Sequence, residues 1–411
     1  MATKTKILFI SYDGLTDALG QSQIIPYLAE LSKKGYEMHV LSTEKEQNLK
    51  ARKSIIEKIS SENNITWHFV NYTKKPPILS TLIDIFKLRR KTIQLHKTHN
   101  FNIIHCRSYI SAFVGLAMKR KFGTKFIFDM RGFYADERVD GNIWRIKNPI
   151  FDAVYKFFKR KEIEFLQNAD YTVSLTNSAK KIINSWKAFE QKQIPIEVIP
   201  CCADIDFFSQ KNVNKTFIEQ FKKEHKIAEN DFVLSYLGSI GTWYMMDEML
   251  AFFKRLQLKY PTAKFLFISG DNPQEIYTKT RSFGIDNNSI IVRKAERSEV
   301  PSMISLSSAS VFFIKPTFSK KASSPTKMAE ILALEIPVIC NSNVGDVDEI
   351  INISKAGIVV SEFSDECYDK AILEFEKFNS QDKKFLRETA LKYFDLQVGA
   401  EIYSSIYKKL I

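Results

Sequence analysis

Cysteine is scarce, and what there is of it excludes two classes at once. The five cysteines (Cys106, Cys201, Cys202, Cys340, Cys367) form no CxxC pair and are odd in number. A disulfide framework is therefore not expected, and a reducing compartment suits the chain. Histidine is also thin: there are six, none after His225 and none in an HExxH pair, which argues against a metal-centred enzyme. With only 14 glycines and 12 prolines, collagen-like repeats, linker arrays and disorder are excluded. The longest uncharged, apolar-leaning stretch is about Pro301–Ile314, short of the roughly 20 residues of a membrane span and rich in serine. The opening MATKTKILFISYDG meets an acid at Asp13 and lacks the apolar core and cleavage site of a signal peptide, so the expected location is cytoplasmic.

What is present is ample core material and an uneven charge. The chain has 411 residues, 45% hydrophobic and 26% charged, enough for two large domains. Residues 1–200 carry 33 Lys+Arg against 19 Asp+Glu, whereas residues 201–411 carry 27 against 28. A basic half joined to a neutral half suggests that one half alone faces an anionic partner: nucleic acid, an anionic bilayer or a phosphorylated substrate.

Strand-like apolar runs alternate with helical patterns along the whole chain. The first set of strands is expected near Lys6–Ser11, Glu37–Ser42, Thr66–Tyr72, Asn102–Cys106, Lys125–Met130 and Tyr171–Leu175. The pattern restarts at Phe232–Leu237, Ala263–Ser269, Ser289–Val292, Ala309–Ile314, Pro337–Cys340 and Gly357–Val360. Continuous rather than alternating apolar strands imply parallel sheets covered on both faces. Run twice, the alternation gives two doubly wound, Rossmann-like α/β domains, 1–200 and 201–382, facing across a cleft. Helices at 383–411 would pack back toward the N-terminal domain. Ligands of such sheets bind at the carboxyl ends of the strands, so those loops are where chemistry is sought.

Four loops stand out. After the first strand, Gly20 and Gln21 open a helix whose free N–H groups could take an anion; the loop is not a GxGxxG fingerprint, which disfavours a dinucleotide dehydrogenase. After the first strand of the second half, Gly238, Ser239 and Thr242 form a second expected anion cradle. In KPTFSKKASSPTKMAE, Lys315, Lys320 and Lys321 crowd a loop, Ser323 and Ser324 stand at the expected helix cap, and Lys327 and Glu330 lie one helical turn apart. Lysines at a helix start make a diphosphate site, with positive charge where a leaving group gains negative charge, and Glu330 could accept bonds from a ribose. Arg131, at a strand end in FDMRGFY, and His105, at the end of the preceding strand, are expected to face the cleft from the basic side. Asp204-Ile205-Asp206 and Asp346-Val347-Asp348 match DxD but lie at a seam and after a late strand, and are read as non-metal.

Taken together, ISYDGLTDALGQSQIIPYLAELSKKGYEMHVLS, VIPCCADIDFF, YLGSIGTW, FISGD and SSPTKMAEILALEIPVICN resemble, in order, the segments of retaining GT-B glycosyltransferases of family 4. The resemblance implies a GT-B fold and transfer of a sugar, with retention, from a nucleotide-sugar held by the C-terminal domain. It implies no metal and no cofactor beyond that co-substrate. Ala322 replaces the first of the family's two spaced glutamates and Glu330 fits the second. Ser239 and Thr242 stand where an Arg…Lys pair is usual, which moves the diphosphate charge onto the later lysines. The catalytic expectation is then His105, Arg131, Lys320 and Lys321; Gly20, Gln21, Gly238, Ser239, Thr242, Lys315, Ser323, Ser324, Lys327 and Glu330 would bind the donor.

The stretch PILSTLIDIFKLRRKTIQLHKTH, from Pro77, mixes apolar and basic residues, and FFKRK at Phe157–Lys161 adds a second cluster. Both suit peripheral binding to an anionic cytoplasmic leaflet and a lipid-linked glycan acceptor, as in bacterial surface-polysaccharide assembly. Two rivals share some of these features. A GT-B-like sugar-nucleotide epimerase would need cleft carboxylates and histidines for proton abstraction, and the second half has almost no histidine. A non-enzymatic nucleic-acid binder would need an aromatic–basic repeat or reader motif, and none is seen, so no nucleic-acid partner is expected.

Overall fold

The computed structural model describes residues 4–76, 78–380 and 382–411. The apolar runs become the strands of two sheets in which every pairing is parallel. The first has seven strands: β1 (Lys6–Ser11), β2 (Glu37–Glu44), β3 (Ile65–Asn71), β4 (Ile103–Arg107), β5 (Lys125–Asp129), β6 (Tyr171–Ser174) and β7 (Ile196–Val198), in the order β3-β2-β1-β4-β5-β6-β7. The second has six: β8 (Val233–Leu237), β9 (Lys264–Ile268), β10 (Ile290–Arg293), β11 (Ala309–Phe312), β12 (Val338–Asn341) and β13 (Gly357–Val360), in the order β10-β9-β8-β11-β12-β13. Strands such as β4 and β11 are buried along their whole length, as a sheet covered on both faces requires. Each sheet reverses its winding beside its first strand, at β1/β4 and at β8/β11, and loops leaving the carboxyl ends there are free of crossover helices.

The chain divides into two compact units. One is Met1–Cys202 with Leu396–Ile411, the other Ala203–Asp395. The C-terminal tail is thus split at Asp395 and does not act as one block. Helix Lys384–Phe394 stays with the second unit, where Arg387 donates to the carbonyls of Ile205, Phe208 and Ala333 at 3.1, 2.9 and 2.8 Å. Helix Leu396–Leu410 joins the first, burying Tyr403 and Tyr407. The helical stretch that follows β1 is broken in two, Ala18–Gln23 and Ile25–Lys33. Pro26 is the reason, since it offers no N–H to the carbonyl four residues back and crowds it. No helix among the described residues is long and apolar enough to cross a membrane.

Candidate functional site

In the second unit the site starts at the carboxyl end of β8. Gly238 has φ +112°, a conformation that a side chain would strain, and its N–H donates to the carbonyl of Ile268 at 2.9 Å. The loop that follows is held by Asp271, just beyond β9. Its carboxylate accepts from Ser239 Oγ at 2.9 Å, from Ser269 Oγ at 3.0 Å and from the N–H of Ile240. Partial burial pushes Asp271 up, but the bonds from Ile240, Ser239 and Ser269 outweigh it and hold the carboxyl below its usual range. This corrects the expectation of a free cradle: the Ser239 hydroxyl and the Ile240 amide are already engaged by an acid of the same unit. Thr242 is exposed.

The lysine-rich segment after β11 is tied to this loop through the backbone. Lys315 N–H donates to the Trp243 carbonyl and Met245 N–H to the Phe313 carbonyl, both at 2.9 Å, and Tyr244 bridges Ile314 antiparallel. Asn341, at the end of β12, fixes the base of the segment, accepting from Ile314 N–H at 2.7 Å and donating to its carbonyl at 2.9 Å. Residues 238–244 and 313–330 therefore converge on one place, as a single anion site requires.

Within it the lysines take different posts. Lys320 is buried with its ammonium 3.7 Å from the Trp243 ring centroid, and Lys321 Nζ donates to Asn343 Oδ1 at 2.9 Å. Lys315 is exposed. The cation aimed at the glycine loop is Lys327. Its Nζ lies 4.2 Å from the Tyr236 ring centroid, 3.7 Å from that of Tyr244, and 3.2 Å from where a side chain at Gly238 would begin. It is buried and has no hydrogen-bond partner. Burial pushes its ammonium down to about 7, against the pull of Glu330. Glu330, one turn on, is pushed up to about 7 by burial, partly offset by Arg297 and Lys327. Helix Thr326–Ala333 has Pro325 at its cap, which places Ser323 and Ser324 outside the helix instead of at its cap. A cavity of about 620 Å³ borders the loop, but it is lined by Asp247, Glu248, Asp271 and Glu275 against Lys279. Four carboxylates against one lysine make that cavity less suited to a diphosphate than the surroundings of Lys327.

The first unit arranges its candidates otherwise. Gly20 is a close-packing position: a Cβ there would sit 2.2 Å from the Gly14 carbonyl oxygen. Gln21 donates to the Thr16 carbonyl at 3.3 Å. Both lie within the helix Ala18–Gln23 instead of opening it, and the turn before that helix is held by the buried Glu44, which accepts from the N–H groups of Leu15 (2.7 Å) and Thr16 (3.2 Å) and from the Thr16 hydroxyl. His105 is fully buried, its Nδ1 2.6 Å from Tyr407 Oη, and rings of Phe9 and Tyr403 pack on it. Its expected exposure at an open face is therefore corrected; aromatic packing and the C-terminal helix enclose it. Burial pushes its imidazole below the usual range despite Asp129. Arg131, at φ +58°, donates to Cys201 Sγ at 3.2 Å and lies 3.8 Å from Asp129, whose other oxygen accepts from Tyr403. It too is held by partners within its unit.

Asp271, Trp243, Tyr236, Tyr244 and Glu44 were not expected from sequence. For Asp271 a signal existed, an acid directly after a buried strand beside the point where the winding reverses; for Glu44 there was none.

The comparisons with known proteins bear on the fold and on the class of protein. Residues 217–391 match the family described as "Glycosyl transferases group 1", and residues 23–207 match "Glycosyltransferase Family 4". No curated protein matches the sequence. Among solved structures, a glycosyltransferase from Rickettsia africae is 16% identical, with 99% of each chain covered and a TM-score of 0.71. Anabaena Alr3699/HepE in complex with UDP-glucose is 12% identical over 98% of this chain and 99% of its own, with a TM-score of 0.69. The lipopolysaccharide outer core galactosyltransferase WaaB, in its apo form, is 13% identical over 98% and 100%, with a TM-score of 0.63. Fold and matched modules thus define a glycosyltransferase of the GT-B fold. Within that class it is of the group 1 type, with one family module in each half of the chain.

Proposed function

We propose that the second unit holds a nucleotide-sugar through its diphosphate and ribose, and that the sugar passes with retention to a lipid-linked glycan in bacterial surface-polysaccharide assembly. The observation that carries the donor half is the buried, unpartnered Lys327 ammonium beside Gly238, with Glu330 one turn away. A buried cation without a partner is costly unless a ligand's anion completes it. In the reaction, the bond from the anomeric carbon to the diphosphate oxygen breaks and a bond from that carbon to the acceptor oxygen forms on the same face. The acceptor's hydroxyl proton leaves with the nucleoside diphosphate. Lys327, together with Lys320 and Lys321 of the same segment, stabilises the charge gathering on the leaving group. In this reading lysine side chains meet that charge without a metal. That the Anabaena protein was captured with UDP-glucose supports a nucleotide-sugar donor here.

The acceptor half rests on the helix Leu79–His99. Leu79, Leu82 and Phe86 are 51%, 55% and 66% exposed, and Arg89, Arg90 and Lys97 are exposed on the same helix. Pro77, where the stretch begins in sequence, lies outside the described residues. The second cluster is reduced by the fold: Phe158 turns inward, and Lys159 donates to Asp136 at 2.9 Å, leaving Phe157 and Arg160 outside. Incubating the protein with a panel of nucleotide-sugars and following slow donor hydrolysis tests the donor reading. Release of sugar from one donor supports it. Interconversion without release would establish an epimerase instead, and inertness toward the whole panel would leave a binding protein.

A further inference from the structure

Three histidines far apart in sequence meet in the first unit, away from the loops described above. His39 stands near the start of β2, His68 on the neighbouring β3, and His99 ends the helix Leu79–His99. Each offers one ring nitrogen, and these nitrogens all lie within 4.8 Å of one another. The His39 and His68 rings are stacked at 8°, with Nδ1 of His39 3.2 Å from Nε2 of His68. Two nitrogens bound to one tetrahedral zinc stand about 3.3 Å apart, given Zn–N bonds of about 2.0–2.1 Å. The other nitrogen of His39, Nε2, lies 3.0 Å from Glu37 Oε1. With an ion on Nδ1 this contact would be the outer half of a carboxylate–imidazole–metal relay, fixing the ring's tautomer and leaving Nδ1 as the ligand. His39 is buried, whereas His68 and His99 are half-buried, so an ion could enter and a solvent molecule could take the fourth position.

We propose that His39, His68 and His99 bind one divalent transition-metal ion of the zinc class, with Glu37 as the outer partner of His39. Imidazole ligands suit zinc, copper or nickel more than magnesium or calcium. A side-chain movement of about 1.5 Å at the half-exposed rings closes the widest separation to bonding geometry. The ion would clamp the end of the helix Leu79–His99 to β2 and β3, a structural role independent of sugar transfer.

The test uses the untagged full-length chain, stripped with chelator and titrated with Zn²⁺ by calorimetry. One equivalent is expected, with a zinc-dependent rise in Tm. His68→Gln and His99→Gln should lose both effects, and Glu37→Gln should weaken binding by about 10–100-fold. Metal-free circular dichroism and Tm check that the variants fold. Should either fail to fold, Co²⁺ absorption of the unaltered chain decides: an intense tetrahedral band supports the site and a weak octahedral one overturns it. Absence of stoichiometric binding, or folded histidine variants that bind zinc like the unaltered chain, would also overturn the proposal.

Discussion

The proposed donor site rests on Lys327, and the environment of that residue makes separable predictions. Its ammonium is stripped of water, set over two tyrosine rings and close to Gly238 of the glycine loop. A charge-assisted bond from it to a diphosphate oxygen is worth about 1.5–3 kcal/mol, so Lys327→Met should weaken nucleoside diphosphate binding about 10–150-fold. The same change should leave thermal stability unchanged or raise it, because it removes an uncompensated buried charge. A residue that only held the fold together would show the opposite pair of effects. The pH dependence follows from sign. The protonated form binds the anion, and the free ammonium titrates near 7, held down by burial. Affinity should therefore be level below about pH 7 and fall above it, by up to tenfold per unit until the raised value in the complex is passed. Glu330, which also titrates near 7, and the rings of Tyr236 and Tyr244 are the other titratable groups around it. Lys327→Met isolates their part, and a calorimetric pH series on that variant should lose the fall above pH 7.

At the level of elements, each sheet carries a carboxylate that holds the loop after its first strand: Glu44 from the end of β2 and Asp271 from just past β9. The two occupy equivalent places in the two windings. Asp271→Ala should cost about 1–3 kcal/mol of stability by leaving the Ser239 and Ile240 donors unpaired, and should raise KM for the donor more than it lowers kcat. Urea unfolding with steady-state kinetics reads both. Gly238→Ala, at φ +112° and with its new Cβ 3.2 Å from Lys327 Nζ, should cost about 1–3 kcal/mol through backbone strain and crowding of that ammonium. Strands were the legible part of the sequence, because a buried parallel strand announces itself as an unbroken run such as FLFIS or VFFI. The short edge strand β7 and helices such as Asn177–Asn184 and Lys215–Glu224 escaped, since two apolar residues around a glutamate or one amphipathic stripe do not stand out from flanking polar chain. That the lysine segment meets the glycine loop was legible, but which lysine faces that loop was not. That depends on the pairing of Tyr244 with Ile314, a contact between residues 70 positions apart. His105 misled for a related reason: nothing local shows that Tyr403 and Tyr407 return from the far end of the chain to cover it.

On the scale of the whole molecule, the informative quantity is the basic excess of residues 1–200 over a second half that is close to neutral. Many of the basic groups are already spent: Lys159 on Asp136, Lys119 on Asp170, Arg120 on Glu164, Arg107 on Asp13. Those on the helix Leu79–His99 are different, because Arg89, Arg90 and Lys97 are exposed and share the helix with Leu79, Leu82 and Phe86. A solvated basic face alone would give binding that salt abolishes, and an apolar patch alone would give binding indifferent to lipid charge. The combination predicts both dependences at once. Flotation with vesicles should increase with anionic lipid content and weaken, without vanishing, as ionic strength shortens the screening length from about 8 Å toward 3 Å. Each of Arg89→Glu and Arg90→Glu should remove at least about 1 kcal/mol, roughly fivefold in partitioning. Leu82→Ser with Phe86→Ser should abolish the salt-resistant fraction while leaving Tm unchanged, since both side chains are already mostly in water. Binding that ignored anionic lipid, or survived the double serine variant at high salt, would detach the membrane from this helix and leave the donor chemistry of the second unit untouched.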